Sequence, residues 1–196
     1  MKILLATGNG GKLRELQNFF ADLDCEFLSL KNFPKIAAPP ENEKTFEKNA
    51  AQKAKFFAEK FGFPTIAEDS GLILRALPRK FGVRTRREIA AATDEIWLEK
   101  FLKMLENECD RRADFFSAIA FFWPKKNLKK IFCEKCSGQI LKKIGAKIER
   151  GIPVSSVFLP VGEKKIFAAM SKNEKNKISH RGRAARKMAD FLQKIL

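Results

Sequence analysis

The chain has 196 residues, with 39 lysines and arginines against 23 aspartates and glutamates, for a formal net charge of +16. At 45% hydrophobic and 32% charged residues it has the makings of a domain with its own core, which excludes wholesale disorder. It has no tyrosine and a single histidine, His180, so chemistry that needs a phenol and multi-histidine metal sites are excluded as well. The basic excess points to polyanionic partners: nucleotides, nucleic acid or an acidic membrane surface.

Taken in chain order, Ile3 to Thr7 is an apolar run that reads as a buried strand. Glycines end it, and Leu13, Leu16 and Phe20 then recur at helical spacing. Residues 33 to 44 carry three prolines and read as irregular. A helix is predicted from about Thr45 to Lys60, with Phe46, Ala50, Ala54 and Phe57 on one face, and a short strand from Phe63 to Ala67 follows. Residues 75 to 92 are basic and poor in apolar positions, and read as an exposed excursion. Thr93 is placed to cap a helix whose first turn holds Asp94 and Glu95. Strands are predicted over Phe115 to Trp123, Lys130 to Ile140, Val154 to Val161 and Lys165 to Ala169, and a last helix begins near Ser179. Helices and strands interleave throughout, so the expected class is mixed α/β.

The opening Met1 to Ala6 is too short an apolar run for a signal peptide. Phe115 to Trp123, the longest strongly apolar stretch, is far short of the roughly 20 residues of a membrane span. A cytoplasmic protein with no membrane segment is therefore expected. Cysteines 25, 109, 133 and 136 are expected to be reduced. Only Cys133 and Cys136 have a ligand-like spacing, and no second pair exists to complete a zinc site.

Four segments could carry chemistry. In Thr7-Gly8-Asn9-Gly10-Gly11-Lys12, glycines between a strand and a helix let backbone N–H groups converge on an anion. It is no Walker loop, because Ala6 and Leu13 stand where that pattern needs glycine and serine or threonine. Lys12 in a first helical turn opposes the helix dipole unless an anion intervenes; the plain alternative is an ordinary strand-to-helix turn. Lys53 falls in the middle of an apolar helical stripe, so it must snorkel, pair or meet a ligand. Glu68-Asp69-Ser70-Gly71 reads as an acidic turn at a strand end, suited to Mg²⁺, with Glu41 able to add an oxygen. Finally, Lys172 to Lys187 is basic, and Ser179 as a cap puts His180 and Arg181 in a first turn, again against the dipole. Two such helix starts, a stripe lysine and a carboxylate pair together suit a triphosphate with its metal.

These residues also resemble a known family. Ala6-Thr7-Gly8-Asn9 with Lys12 and Glu15, then Phe46, Asn49, Ala50, Lys53 and Ala54, are similar to motifs of the inosine triphosphate pyrophosphatase family. So are Ala67-Glu68-Asp69-Ser70-Gly71-Leu72, Arg112-Ala113 with Phe115, Glu174-Lys175, and Ile178-Ser179-His180-Arg181-Gly182 with Ala184. The resemblance spans nearly the whole chain. It implies a single domain of two lobes over residues 1–196, with an elongated mixed sheet flanked by helices and the site in a cleft between the lobes. It implies Mg²⁺-dependent hydrolysis of ITP, dITP and XTP to the monophosphate and pyrophosphate, in a homodimer. Thr7, Gly8, Asn9, Gly10, Gly11 and Lys12 would hold phosphates, and Lys53, Lys175, His180 and Arg181 would touch triphosphate or base. Ser70 would contact substrate. Asp69 would bind the metal and accept the proton of the attacking water, with Glu41 and Glu68 completing the metal's surroundings.

The chain departs from that family on the base side. Where a Gly-Phe-Gly-Tyr-Asp-Pro segment is usual, it has Arg150-Gly151-Ile152-Pro153-Val154-Ser155. Where Pro-Gly-Ile and a following Ser-Ala-Arg are usual, it has Phe81-Gly82-Val83-Arg84-Thr85-Arg86-Arg87, in which Gly82 and Arg87 survive. A lost stacking contact of about 1–3 kcal/mol weakens or broadens base selection without abolishing hydrolysis. The rival expectation is a non-catalytic, basic nucleotide- or RNA-binding protein on the same fold, with a zinc module on Cys133 and Cys136 a third.

Overall fold

A computed structural model describes residues 1–196. Six strands form one mixed sheet in the order β2-β1-β3-β4-β5-β6. β1 (Lys2–Leu5) lies parallel to both β2 (Glu26–Ser29) and β3 (Thr65–Leu74). β4 (Arg112–Trp123), β5 (Leu128–Ile140) and β6 (Phe158–Pro160) continue it antiparallel. Five helices accompany the sheet: α1 (Gly10–Phe19), α2 (Phe46–Phe61), α3 (Asp94–Met104), α4 (Lys172–Ile178) and α5 (His180–Leu192). None is long and apolar enough to cross a membrane.

Strand alternation divides the core into layers. On one face Ile3, Leu5, Ile66, Ile119 and Phe121 pack under Leu16 of α1, Phe20 at its C-terminal end, and Met188 and Leu192 of α5. On the other, Leu4, Ala67, Ala118 and Ala120 receive Ala50, Ala54 and Phe57 of α2, whose small residues let the helix lie close to the sheet. A third cluster gathers at the far end of the long strands, where Leu72, Leu74, Ala113 and Ile140 pack on Trp97, Leu98 and Phe101 of α3. The mixed α/β expectation is met.

Local signals placed the helix starts well. Asn9, Thr45, Thr93 and Ser179 all cap their helices through side-chain oxygens. Several expectations need correction. β2 and α4 were not foreseen. The segments expected as strands over 154–161 and 165–169 are 3₁₀ turns (Pro153–Ser156 and Phe167–Ala169) around the three-residue β6. The expected acidic turn is not a turn: Glu68, Asp69, Ser70 and Gly71 lie within β3, paired to Ile119, Ala118, Ser117 and Phe116 of β4. The 75–92 excursion does not stand away from the molecule. Gly82 bridges Leu72, the Thr85 hydroxyl accepts from the Leu72 amide at 2.8 Å, and the Arg87 guanidinium donates to the Glu41 carbonyl at 2.7 Å.

Candidate active site

A cleft of about 340 Å³ opens between the α1, α2 and α5 side and the α3 side of the molecule. Its wall includes Thr7, Gly8, Asn9, Lys12, Glu41, Lys53, Asp69, Ser70, Lys175, His180 and Arg181. Residues up to 174 positions apart, chosen from sequence alone, thus share one cavity. Gly10, Gly11 and Glu68 do not line it.

The glycine loop works differently from expectation. The Asn9 carboxamide oxygen accepts the amides of Gly11 at 2.9 Å and Lys12 at 3.1 Å, so those two N–H groups cap α1 rather than face an anion. Asn9 also donates through Nδ2 to the Gly151 carbonyl at 2.9 Å. Gly151 has φ of +89°, and a Cβ there would lie 2.5 Å from the Asn9 oxygen. Only glycine fits this joint, where the 150–155 segment is stapled to the loop after β1.

The first-turn cations are balanced within the chain. Adjacent strand residues point to opposite faces, so Glu68 and Asp69 go separate ways. Glu68 is fully buried. Its Oε1 accepts from Arg181 Nε at 3.1 Å and from the Ser117 hydroxyl at 3.0 Å, and its Oε2 lies 2.8 Å from Lys12 Nζ. Burial opposes that charge, but Arg181 and Lys12 hold its carboxyl well below the usual range. Arg181 also donates to Ser70 Oγ at 3.0 Å and pairs with Glu15, which Lys175 shares at 2.7 Å. Burial would raise Glu15, yet Arg181 and Lys175 bring it down to about 2. Lys53, the stripe lysine, pairs with Glu41 and donates to the Glu68 carbonyl at 3.3 Å. A cation at a helix N-terminus here signals a carboxylate across the site, and a bound anion is not needed to explain it.

Asp69 lines the cleft with Glu15 and Glu41 but, unlike them, has no ion pair. It is 4% exposed, and its Oδ2 accepts from Asn49 Nδ2 at 2.9 Å. Burial pushes its pKa up. Lys12 and the Asn49 bond oppose that rise, while the charges of Glu41 and Glu68 add to it. Asn49 is held in turn by the Glu43 amide at 3.1 Å. Its own signal was a polar side chain on the apolar stripe of α2, the same signal that singled out Lys53. His180 stacks on Phe115 with ring centroids 4.7 Å apart. Burial, then the Arg181 charge, lowers its pKa to about 3, so the ring is neutral, and its Nδ1 has no partner.

The expected metal set fits in part. No three or more histidine, cysteine, aspartate or glutamate side chains are gathered as a cage. Glu68 is buried outside the cleft lining, with Arg181 and the Ser117 hydroxyl on its Oε1 and Lys12 2.8 Å from its Oε2. Asp69 and Glu41 remain, both lining the cleft. One or two carboxylates, with water and phosphate oxygens, is the donor set that suits Mg²⁺. Cys133 and Cys136 lie three apart on β5 and so point to opposite faces. Burial and the neighbouring Glu47 push the Cys133 thiol up to about 12, which makes it unreactive.

The cleft thus sets a buried aspartate among lysines and an arginine, each paired with a carboxylate, on a mixed α/β sheet. The match of residues 3–191 to the Ham1 family model makes the class specific, and the chain belongs to that family. It is 35% identical to a dITP/XTP pyrophosphatase of Aquifex aeolicus, over 98% of this chain and 97% of the relative. It is 36% identical to one of Bacillus anthracis, over 96% of this chain and 95% of the relative. Among solved structures, a HAM1 protein from Coxiella burnetii superposes with a TM-score of 0.82 at 31% identity, covering 99% of both chains. The Ham1 protein of Staphylococcus aureus gives 0.79 at 29% identity over the full length of both.

Proposed function

We propose that this protein is a Mg²⁺-dependent nucleoside-triphosphate pyrophosphatase. It converts deaminated purine nucleotides (ITP, dITP, XTP) to the monophosphate and pyrophosphate, and so cleans the nucleotide pool. The observation that carries the reading is Asp69: a buried carboxylate in the cleft wall, aimed by Asn49, with Lys12 and Lys53 beside the same cavity. The curated relatives named dITP/XTP pyrophosphatases support the substrate class.

Asp69 and Glu41 are the residues that would hold the metal. When bound there, Mg²⁺ polarises phosphoryl oxygens and eases loss of a proton from water. Asp69 accepts that proton. Its raised pKa makes it a stronger base than an exposed aspartate. Asn49 fixes one oxygen of the carboxylate by its hydrogen bond to Oδ2. Lys12, Lys53, Lys175 and Arg181 meet the charge of the triphosphate and of the departing pyrophosphate. Each is already seated by a carboxylate, so the cationic wall is preorganised. His180 contributes a neutral imidazole to the cleft wall. The reading extends to a homodimer in the cytoplasm.

The test is pyrophosphate release from dITP, XTP, dGTP and ATP with Mg²⁺. Release from the deaminated nucleotides is expected, and Asp69→Asn should lower it by a factor of about 10²–10⁴, the usual worth of a positioned base, with an unchanged melting temperature. No release from any nucleotide by folded wild-type protein would leave the non-catalytic binding reading in possession.

A further inference from the structure

The cleft has an end that the triphosphate chemistry does not use. There the segment Gly151-Ile152-Pro153-Val154-Ser155 faces the cavity without an aromatic ring. The rings that reach the same wall are engaged elsewhere. Trp97 and Phe167 are buried to 1% and 2% exposure, and Phe115 is stacked on His180. Besides Arg181, two guanidinium groups line this cleft, those of Arg86 and Arg87. Arg87 Nη2 is engaged by the carbonyls of Glu41 at 2.7 Å and Val83 at 3.3 Å, whereas the guanidinium of Arg86, with its side chain 54% exposed, donates to no backbone carbonyl.

Arg86 is held by three contacts. Its carbonyl accepts from the Trp97 indole N–H at 3.3 Å, its Nη1 lies 2.9 Å from Asp94 Oδ1, and its Cζ sits 5.7 Å from the Trp97 ring centroid. The other oxygen of Asp94 accepts the Gly151 amide at 2.6 Å. Asp94 therefore fixes Arg86 relative to the very segment that forms the cleft's aromatic-free end. A guanidinium seated on an indole and tethered at one nitrogen keeps its remaining N–H groups for another partner.

We propose that Arg86 is the base-reading residue of this cleft, recognising the 6-oxo edge of a purine. A guanidinium donates a bidentate pair to a purine O6 and N7 and stacks on base planes. Hypoxanthine, xanthine and guanine all present two acceptors on that edge. Adenine places an amine donor beside N7 and so turns a donor towards a donor. The contact selects 6-oxopurines as a class and does not by itself separate guanine from hypoxanthine. The choice of base follows the proposed function, while the recognition is independent of turnover.

The experiment measures equilibrium binding of IMP, GMP, AMP and inorganic tripolyphosphate to wild type, Arg86→Lys and Arg86→Met. Wild type should bind IMP and GMP about 10-fold or more tighter than AMP, the worth of one bidentate pair. Both variants should bring that ratio towards one, because lysine keeps the charge but lacks the fork. Tripolyphosphate binding to Arg86→Lys should stay near wild type. An unchanged IMP to AMP ratio in Arg86→Lys overturns the proposal, as does a wild type without preference or an equal loss of tripolyphosphate binding. Should Arg86→Met not fold, Arg86→Lys decides alone. Base preference without any turnover sinks the pyrophosphatase reading and leaves this one standing.

Discussion

Arg181→Met tests whether the ion network under the cleft bears load. The guanidinium reaches Glu68 at 3.1 Å, Ser70 at 3.0 Å and Glu15, and the Glu68 side chain has no exposure at all. Methionine fills similar space but leaves Glu68 with Lys12 and Ser117 alone. Removing one partner of a buried pair costs about 3–5 kcal/mol, and Lys12 at 2.8 Å puts this case near the lower end. For a chain of this length 1 kcal/mol moves the melting temperature by about 2–4 °C, so a fall of roughly 6–12 °C follows. Thermal unfolding followed by circular dichroism at neutral pH measures it. The double variant Glu68→Gln with Arg181→Met removes the stranded charge and should melt above the sum of the two single losses, with a coupling of about 1–3 kcal/mol. A single variant within about 2 °C of wild type, or strictly additive losses, would refute the idea that Arg181 neutralises Glu68.

Other outcomes follow from the same geometry. Asn49→Ala removes a hydrogen bond that favours the ionised Asp69, so the acid limb of the kcat/KM profile should move to higher pH by about one unit. An unmoved limb would mean that Asp69 is not the titrating base. Acid should destabilise the fold. Glu15, down from 4.5 to about 2, and Glu68, also lowered, both refuse protons that the unfolded chain accepts. His180, down from 6.5 to about 3, does the same. Their contributions are complete above the unfolded values and are lost as pH falls, first below 6.5 for His180 and then below 4.5 for the glutamates. Asp69, raised from 3.8, works the other way and opposes part of the loss. Melting temperatures measured from neutral pH downwards should therefore fall, most steeply in the glutamate window, and a flat profile would contradict the buried network.

Lys12, Lys53, Lys175 and Arg181 are matched by Glu15, Glu41, Glu68 and Glu149, so these four cations do not account for the excess of +16. The active-site chemistry gives no reason for that charge.

Much of this protein could be read residue by residue because the signals were local. A helix start depends on one capping side chain and the three residues after it, and Asn9, Thr45, Thr93 and Ser179 were all in place. Helical period put Lys53 on a buried face where polar groups must have partners. β2 gave no such signal, since it has no fully buried residue, and α4 has only seven residues with none buried. Partner choice was beyond sequence reach. Arg181 finds Glu15 across 166 positions and Glu68 across 113, and Asn9 finds Gly151 across 142. Taking Glu68 and Asp69 for one acidic corner failed because a strand sends neighbours to opposite sides, one to the cations and one to the cleft. The basic excursion was misjudged because its anchors, Leu72, Glu41 and Trp97, are contacts that composition does not record. Sequence alone thus determined which residues carry charge and where elements begin. Only the folded sheet decided which charges meet, because pairing depends on strand face and register, and both are set by packing far along the chain.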